Sequence, residues 1–375
     1  MRDRVAFLFL GETLLIPHLF PIVEALSDLA PELTQDLWVS TSMHEALIGG
    51  WLAERPHAPI RIRRAPGFRT VAVDAGTNPP LPPKLPMLAR LAPRLARVPV
   101  AVCAEQTSLW LPRLLPFLPT RFVKTSHGVG SMSARDDRRR RAAWHTLVPS
   151  ERERRTYLQR GMPPERIVAT GYVKAGFRQR SYARPDFAED RPVLLYNPHW
   201  QQHRSSWWRW GEQIVRQVLA EGRWNLIFAP HQRLVERAPE VRALCEELKG
   251  RGDTHCDYQS FAAVDGSYTA AADLYLGDTS SQVLEFLVRP RPCVFLNAGG
   301  AHWQDDPSYA MWVAGEVVDS LDGVLPALAR AGTEHPRFAD AQAALASDSL
   351  GDTSGAAPTR AASEILGVLA ERHSG

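Results

Sequence analysis

At 375 residues, with 45% hydrophobic residues, 23% charged residues and a formal charge of only +3, the chain has the make-up of a soluble globular protein and the length of two domains. It holds no run of about 18 apolar residues, and the stretch 5–10 is too short for a signal-type core, so no spanning helix or export signal is indicated and a cytoplasmic setting is expected. Cys103, Cys245, Cys256 and Cys293 lack CxxC spacing, which excludes the usual zinc and disulfide frameworks, and no metal is expected.

Residues 4–10 predict a first strand, 11–13 a turn, and 14–29 a helix interrupted by Pro17 and Pro21. Further strands are expected at 37–40, 60–62, 70–73 and 98–104, separated by helical or proline-rich pieces, which is the alternation of an α/β protein. His18, His44 and His57 read as structural or surface histidines. Charge is uneven here. Residues 81–155 hold fifteen Lys or Arg against five Asp or Glu, a balance of +10 within a whole chain of +3. Leu85, Leu88, Leu91, Leu95 and Val98 recur at helical spacing with Arg90, Arg94 and Arg97 between them, which predicts a surface resting on anionic lipid, peripheral at the inner membrane face. No nucleic-acid motif accompanies the charge, so that partner is not expected.

The strand 121–125 ends in Ser126, His127, Gly128, Val129 and Gly130, a histidine and glycines at the end where ligands of open parallel sheets collect. A neutral imidazole there can accept a proton while glycine lets substrate approach. Residues 135–141 read as a charged helix. A strand at 145–148 leads to Ser150, an N-cap with Glu153 in the capping-box position. After a strand at 166–170, the polar stretch 178–191 with Pro185 reads as an interdomain linker, dividing the chain into domains 1–180 and 190–350.

The pattern then restarts. Strand 193–197 ends in Asn197, Pro198, His199 and Trp200, and strand 224–229 ends in Pro230, His231, Gln232 and Arg233. Helices are expected at 207–220 and 234–249, with a short strand or loop at 253–257. Residues 272–286, ADLYLGDTSSQVLEF, run from a buried strand through hydroxyl residues into a helix, with Thr279 and Gln282 fitting a capping box. Free N–H groups and the hydroxyls of Thr279, Ser280 and Ser281 make that turn a phosphate site. A strand at 292–296 and helices at 321–330, 338–346 and 357–371 complete the chain, residues 355–375 packing back on the first domain.

The ordered motifs SHGVG at Ser126, LVPS at Leu147, TGYVK at Thr170, LYNPHW at Leu195, FAPH at Phe228 and LGDTSSQVLEF at Leu276 resemble the CDP-glycerol glycerophosphotransferase family of teichoic acid primases and polymerases. The resemblance covers about 127–296. It implies a GT-B-type fold, in which two Rossmann-like parallel-sheet domains face a central cleft, and transfer of glycerol phosphate from CDP-glycerol to a glycan, lipid-linked or polymer hydroxyl, with release of CMP. His127 resembles the family's general base and His231 its phosphate-stabilising histidine. Ser280, Ser281 and Asp278 resemble its nucleotide-diphosphate grip, with Gly128, Arg233 and Thr279 beside it. Glu285 would reach the ribose, and Asn197 and His199 the acceptor or phosphate side. The chain departs from the pattern at Ser126 for tryptophan, Gln232 for proline, Thr279 for tyrosine and Gly176 for aspartate. No cofactor beyond the CDP-activated donor is implied. A glycosyltransferase using a nucleotide sugar, a CDP-ribitol-type transferase and a non-catalytic binding protein are the alternatives.

Overall fold

The computed structural model describes residues 4–72, 79–127 and 139–373. They form two compact units, Met1–Gln179 with Asp348–Gly375, and Arg180–Ser347.

The first unit is built on seven parallel strands, β1 (Arg4–Phe9), β2 (Thr34–Thr41), β3 (Ile60–Arg69), β4 (Val100–Cys103), β5 (Arg121–Thr125), β6 (His145–Val148) and β7 (Ile167–Ala169). Their spatial order is β3-β2-β1-β4-β5-β6-β7. Residues 5–9 are buried without alternation, because both faces of a central parallel strand are covered and both must be apolar. The second unit carries β8 (Val193–Asn197), β9 (Asn225–Phe228), β10 (Thr254–Cys256), β11 (Leu274–Gly277), β12 (Cys293–Leu296) and β13 (Glu316–Val318). Their order is β10-β9-β8-β11-β12-β13. Each sheet therefore reverses its strand order beside its first strand, at β1/β4 and at β8/β11. In open α/β sheets the crevice outside the carboxyl ends at such a reversal is where ligands bind.

Glycine marks each reversal for the same steric reason. A Cβ on Gly11, after β1, would lie 2.6 Å from Glu105 Oε2, and one on Gly277, ending β11, would lie 3.0 Å from the Asn197 carbonyl oxygen. The last helix, Ala357–His373, packs against the helix Phe20–Leu29 of the first unit. Arg360 Nε donates to the Thr170 carbonyl at 2.7 Å, and Arg121 pairs with Glu371 at 3.2 Å.

Several local expectations are corrected. The two units divide within the expected linker 178–191, and 180–191 belong to the second unit. Ser181 N–H donates to Asp265 at 2.6 Å, and Ala188 N–H to the Gly252 carbonyl at 2.8 Å. Residues 70–72 are not a strand, β3 having ended at Arg69, and position 73 lies outside the described residues. Pro17 tightens the first predicted helix into a 3-10 stretch, Thr13–His18, before the α-helix begins at Phe20. The predicted helix 234–249 divides at Pro239 into Gln232–Val235 and Glu240–Glu247, since proline lacks the N–H a continuous helix needs. Of the expected charged helix 135–141, positions 135–138 lie outside the described residues and Arg140–Ala142 is one 3-10 turn. Strand β13 was not anticipated; at three residues it is too short to show periodicity.

The leucine stripe is the largest correction. In the helix Lys84–Leu95, Leu88, Leu91 and Leu95 lie in the core of the first unit, as does Val98 beyond its end. An amphipathic helix on a domain turns its apolar face inward first, so these four residues do not form a lipid-facing surface; Leu85, in the first turn, is exposed. Among the described residues, no helix is long and apolar enough to cross a membrane.

Candidate functional site

In the first unit, His127 stands two residues beyond the end of β5. Its Nδ1 lies 2.5 Å from the carbonyl oxygen of Ala104, which follows β4. A carbonyl only accepts, so Nδ1 carries the proton and Nε2 is left with its lone pair. Burial, then the positive charge of Lys124, pushes the ring down to about 4, so the imidazole is neutral at physiological pH. Ser126 Oγ donates to Glu153 at 3.2 Å, and Ser150 caps the helix Glu151–Gln159 by accepting from Glu153 N–H. This ties the β5 exit to that helix. Gly128 lies outside the described residues.

His18 and His44, read from sequence as structural, are both buried in this unit. His18 is held well below its ordinary value by burial and by the nearby charges of Lys174 and Lys124, and its ring meets Tyr172 edge-on at 5.7 Å. His44 Nδ1 lies 2.7 Å from the Thr41 hydroxyl. Glu105 is held by Lys84 at 2.6 Å and by Ser108 at 2.8 Å.

The second unit assembles a denser group at its strand reversal. The His199 and His231 rings, leaving β8 and β9, meet edge to face with centroids 6.0 Å apart, and Trp200 packs 6.1 Å from His231. Gln201 N–H donates to His199 Nδ1 at 3.1 Å, and Arg233 N–H donates to His231 Nδ1 at 3.1 Å. Both Nδ1 atoms accept, so both neutral rings carry the proton on Nε2. This is the opposite tautomer to His127. Burial lowers His199 to about 3, with His231 and Arg204 adding to the effect, and burial followed by Arg233 lowers His231 to about 4. These rings are donors without being cations, and they need no proton from solution to hold an anion.

Two residues expected at the ligand form the floor instead. Asn197 Nδ2 donates to the Ala229 carbonyl, locking the end of β8 to the end of β9. Asp278 is fully buried, and its carboxylate accepts N–H groups of His199 at 2.8 Å and Ser206 at 3.0 Å. Burial raises it to about 7 against those hydrogen bonds. Its oxygens hold the 199–206 loop and act on a ligand only through it.

The hydroxyl turn is also rearranged. The N-cap of the helix Ser281–Phe286 is Ser280, whose side chain accepts from Gln282 N–H, so the cap lies one residue later than expected and, with Val283 at the third helical position, no capping box forms. Thr279 Oγ1 donates to the Ser308 carbonyl, and Ser280 N–H meets Met311 Sδ at 3.2 Å. Among the described residues, the N–H groups of Thr279 and Ser281 have no acceptor within the chain. Ser281 is exposed and Glu285 half-buried one turn further on.

Sequence reasoning missed Arg204. Its Nη2 donates to Ser308 Oγ at 2.9 Å, its Nε is buried without a partner, and among the described residues no carboxylate lies within ion-pair distance of it. The available signal was its place in a polar loop leaving β8 at the reversal. Arg233 and Arg237 lie over the Trp200 ring at 5.3 and 4.7 Å.

The depressed histidines give a pH expectation. A histidine whose folded value lies below its unfolded value of about 6.5 contributes stability that is fully present above pH 6.5 and is lost as pH falls toward the folded value. His44, His127, His199 and His231 all share this sign, and Asp278, raised toward 7, opposes it. The urea unfolding midpoint should therefore fall between pH 7 and 5. The His199 and His231 ring NMR shifts should stay constant from pH 8 to 6, and a ring titrating near 6.5 would contradict the burial described.

No protein-family model matches the sequence, and no curated protein matches it. Solved structures match its whole length. The wall teichoic acid polymerase TagF is 13% identical, covering 100% of this chain and 90% of its own, with a TM-score of 0.64. UDP-GlcNAc 2-epimerase from Neisseria meningitidis, bound to UDP-GlcNAc, is 12% identical over 99% of this chain and 100% of its own, with a TM-score of 0.60. MnaA of S. aureus, solved with UDP, is 14% identical over 99% and 97%, with a TM-score of 0.58. Likeness at this identity is one of fold. The chain has the two-sheet α/β architecture of these GT-B proteins.

Proposed function

We propose that the chain is a transferase acting on a nucleotide-diphosphate donor, and that it moves glycerol phosphate from CDP-glycerol to a hydroxyl of a glycan or lipid-linked acceptor. The observation that carries this reading is the opposed tautomers: His127 offers a lone pair at Nε2, whereas His199 and His231 offer N–H donors. A transfer to phosphorus needs one of the first and several of the second. His127 Nε2 takes the acceptor's hydroxyl proton as that oxygen bonds to the glycerol-bearing phosphorus, and the phosphorus–oxygen bond to CMP breaks in line. His199, His231, Arg204 and Arg233, with Ser280, Ser281 and the N–H groups of Thr279 and Ser281, stabilise charge on the phosphate oxygens, which is most of what a protein contributes to such a transfer. Glu285 is assigned to the ribose.

Support for a nucleotide-diphosphate donor comes from similar proteins whose structures hold UDP or UDP-GlcNAc, and support for glycerol phosphate from TagF, a variant of which was soaked with CDPG. The UDP-bound neighbours equally favour a second reading, a glycosyltransferase using a nucleotide sugar. CDP-ribitol is a third donor that the same phosphate grip would accept.

The test incubates the protein with CDP-glycerol, CDP-ribitol and a panel of UDP- and GDP-sugars. Release of CMP from CDP-glycerol only in the presence of a membrane extract is the expected result. Release of UDP or GDP establishes the second reading, and binding without turnover establishes a binding protein. In calorimetry, Arg204→Gln should weaken CDP about 10- to 100-fold, as loss of a hydrogen bond to a charged group does, and leave cytidine affinity unchanged.

A further inference from the structure

The second unit brings two thiols together that the sequence keeps apart, Cys245 and Cys256, with ten residues between them. Cys245 stands buried on the helix Glu240–Glu247, and Cys256 ends β10, the edge strand of its sheet. The Cys256 side chain packs on the core cluster that holds Cys245, the two thiols hydrogen-bond to each other, and both line one cavity of about 300 Å³. Glu246, Lys249 and Gln259 line the same cavity and are exposed, so it opens to solvent.

The neighbours of Cys256 turn the other way. Successive side chains of a strand point to opposite faces. His255 Nε2 accordingly lies 2.8 Å from the Tyr268 hydroxyl, which donates to Asp257 at 2.6 Å, and Cys256 between them is left facing the helix. The other two cysteines are out of reach. Cys103 lies in the core of the first unit, and Cys293 in the cluster on the opposite face of the second sheet. Among the described residues, no group of three His, Cys, Asp or Glu side chains could hold a metal ion, so the pair is not half of a metal site.

The two sulfurs are not equivalent. Cys256 is half-buried and Cys245 buried, and all four cysteines are free thiols. The hydrogen bond with Cys256, then burial, pushes the Cys245 thiol up, which leaves Cys256 as the sulfur that a solute meets first. Thiol reactivity follows thiolate character and exposure, and a second thiol beside the first resolves the oxidised product as a disulfide.

We propose that Cys245 and Cys256 form a reversible disulfide when the protein meets a hydroperoxide, joining the edge strand β10 to the helix Glu240–Glu247. The Cys256 sulfur takes one oxygen of hydrogen peroxide and becomes a sulfenic acid, while the other oxygen leaves as water. The Cys245 sulfur then displaces the sulfenic hydroxyl, which departs as water with the Cys245 proton. One peroxide is thereby reduced to two waters, and two thiols are oxidised to one disulfide. A small dithiol restores both by two exchange steps. Strand β10, three residues long and paired only with β9, gains a second attachment when the bridge closes. The pair uses none of the residues assigned to the donor, so it stands apart from the proposed reaction.

The test exposes the full chain to hydrogen peroxide under native conditions, blocks the remaining thiols with iodoacetamide and maps the peptides by mass spectrometry. A bridge between positions 245 and 256 of one chain is expected, the four free thiols falling by two and returning with dithiothreitol. Cys245→Ala should leave on Cys256 a sulfenic acid that dimedone traps, and Cys256→Ala should leave Cys245 unmodified at the same dose. Cys103→Ala should form the bridge as the parent does. Four free thiols after exposure, a bridge between two chains, or oxidation of Cys103 or Cys293 in place of this pair overturns the proposal. The parent's peptides decide the matter even where a variant fails to fold.

Discussion

Replacing His127 by alanine is expected to lower turnover at least about 100-fold, the loss typical of a missing general base, while CDP affinity changes little. The reason is local. The ring's Nδ1–H is held by the Ala104 carbonyl, so the only free chemistry on the side chain is the Nε2 lone pair, and a group that takes a proton from the acceptor contributes little to donor binding. His127→Gln keeps an amide that can donate to Ala104 but supplies no base, and should be as inactive as alanine. Since burial and Lys124 place His127 near 4, kcat/KM of the free enzyme should stay level from pH 8 to about 5 and fall below that as Nε2 is protonated. A His127→Ala enzyme retaining more than about a tenth of parental turnover would remove the base from the mechanism.

Asp278→Ala is expected to be the most damaging single change in the second unit. The carboxylate satisfies two N–H groups of the 199–206 loop and receives hydroxyl hydrogen bonds from Ser205 and Ser206. Orphaning a buried donor costs about 1–3 kcal/mol, so two of them lower unfolding free energy by about 2–6 kcal/mol, a large share of a domain's stability. The same loop carries His199 and Arg204, and donor binding should fall with it. Urea denaturation and calorimetry with CDP, run on the same preparation, check both. A variant of parental stability would mean that the loop is held by other contacts.

Much of the architecture is legible because parallel strands buried on both faces appear as continuous apolar runs, and Val193, Leu194 and Leu195 could hardly be anything else. The positions of His127, His199 and His231 are legible for the same reason: each follows such a run directly. What each side chain does there is not. The resemblance puts Asn197 at the acceptor or phosphate side, but its partner is the carbonyl of Ala229, 32 positions away. Asp278 reaches His199 across 79 positions, and no local pattern records that. The cap at Ser280 rather than Thr279 could not be settled locally, because both residues carry a hydroxyl and the choice was made by Ser308 and Met311. The arginine-flanked leucines near residue 90 were misplaced because periodicity shows that a helix has an apolar face, not which neighbour covers it.

Strand β5 separates two features that sequence places only ten residues apart, Phe117 at one end and His127 at the other. From position 120 to position 126 an extended chain spans about 20 Å at about 3.3 Å per residue. Substitutions at the two ends are thus too far apart to couple, so the losses of unfolding free energy from a Phe117 and a His127 variant should add to within about 0.5 kcal/mol.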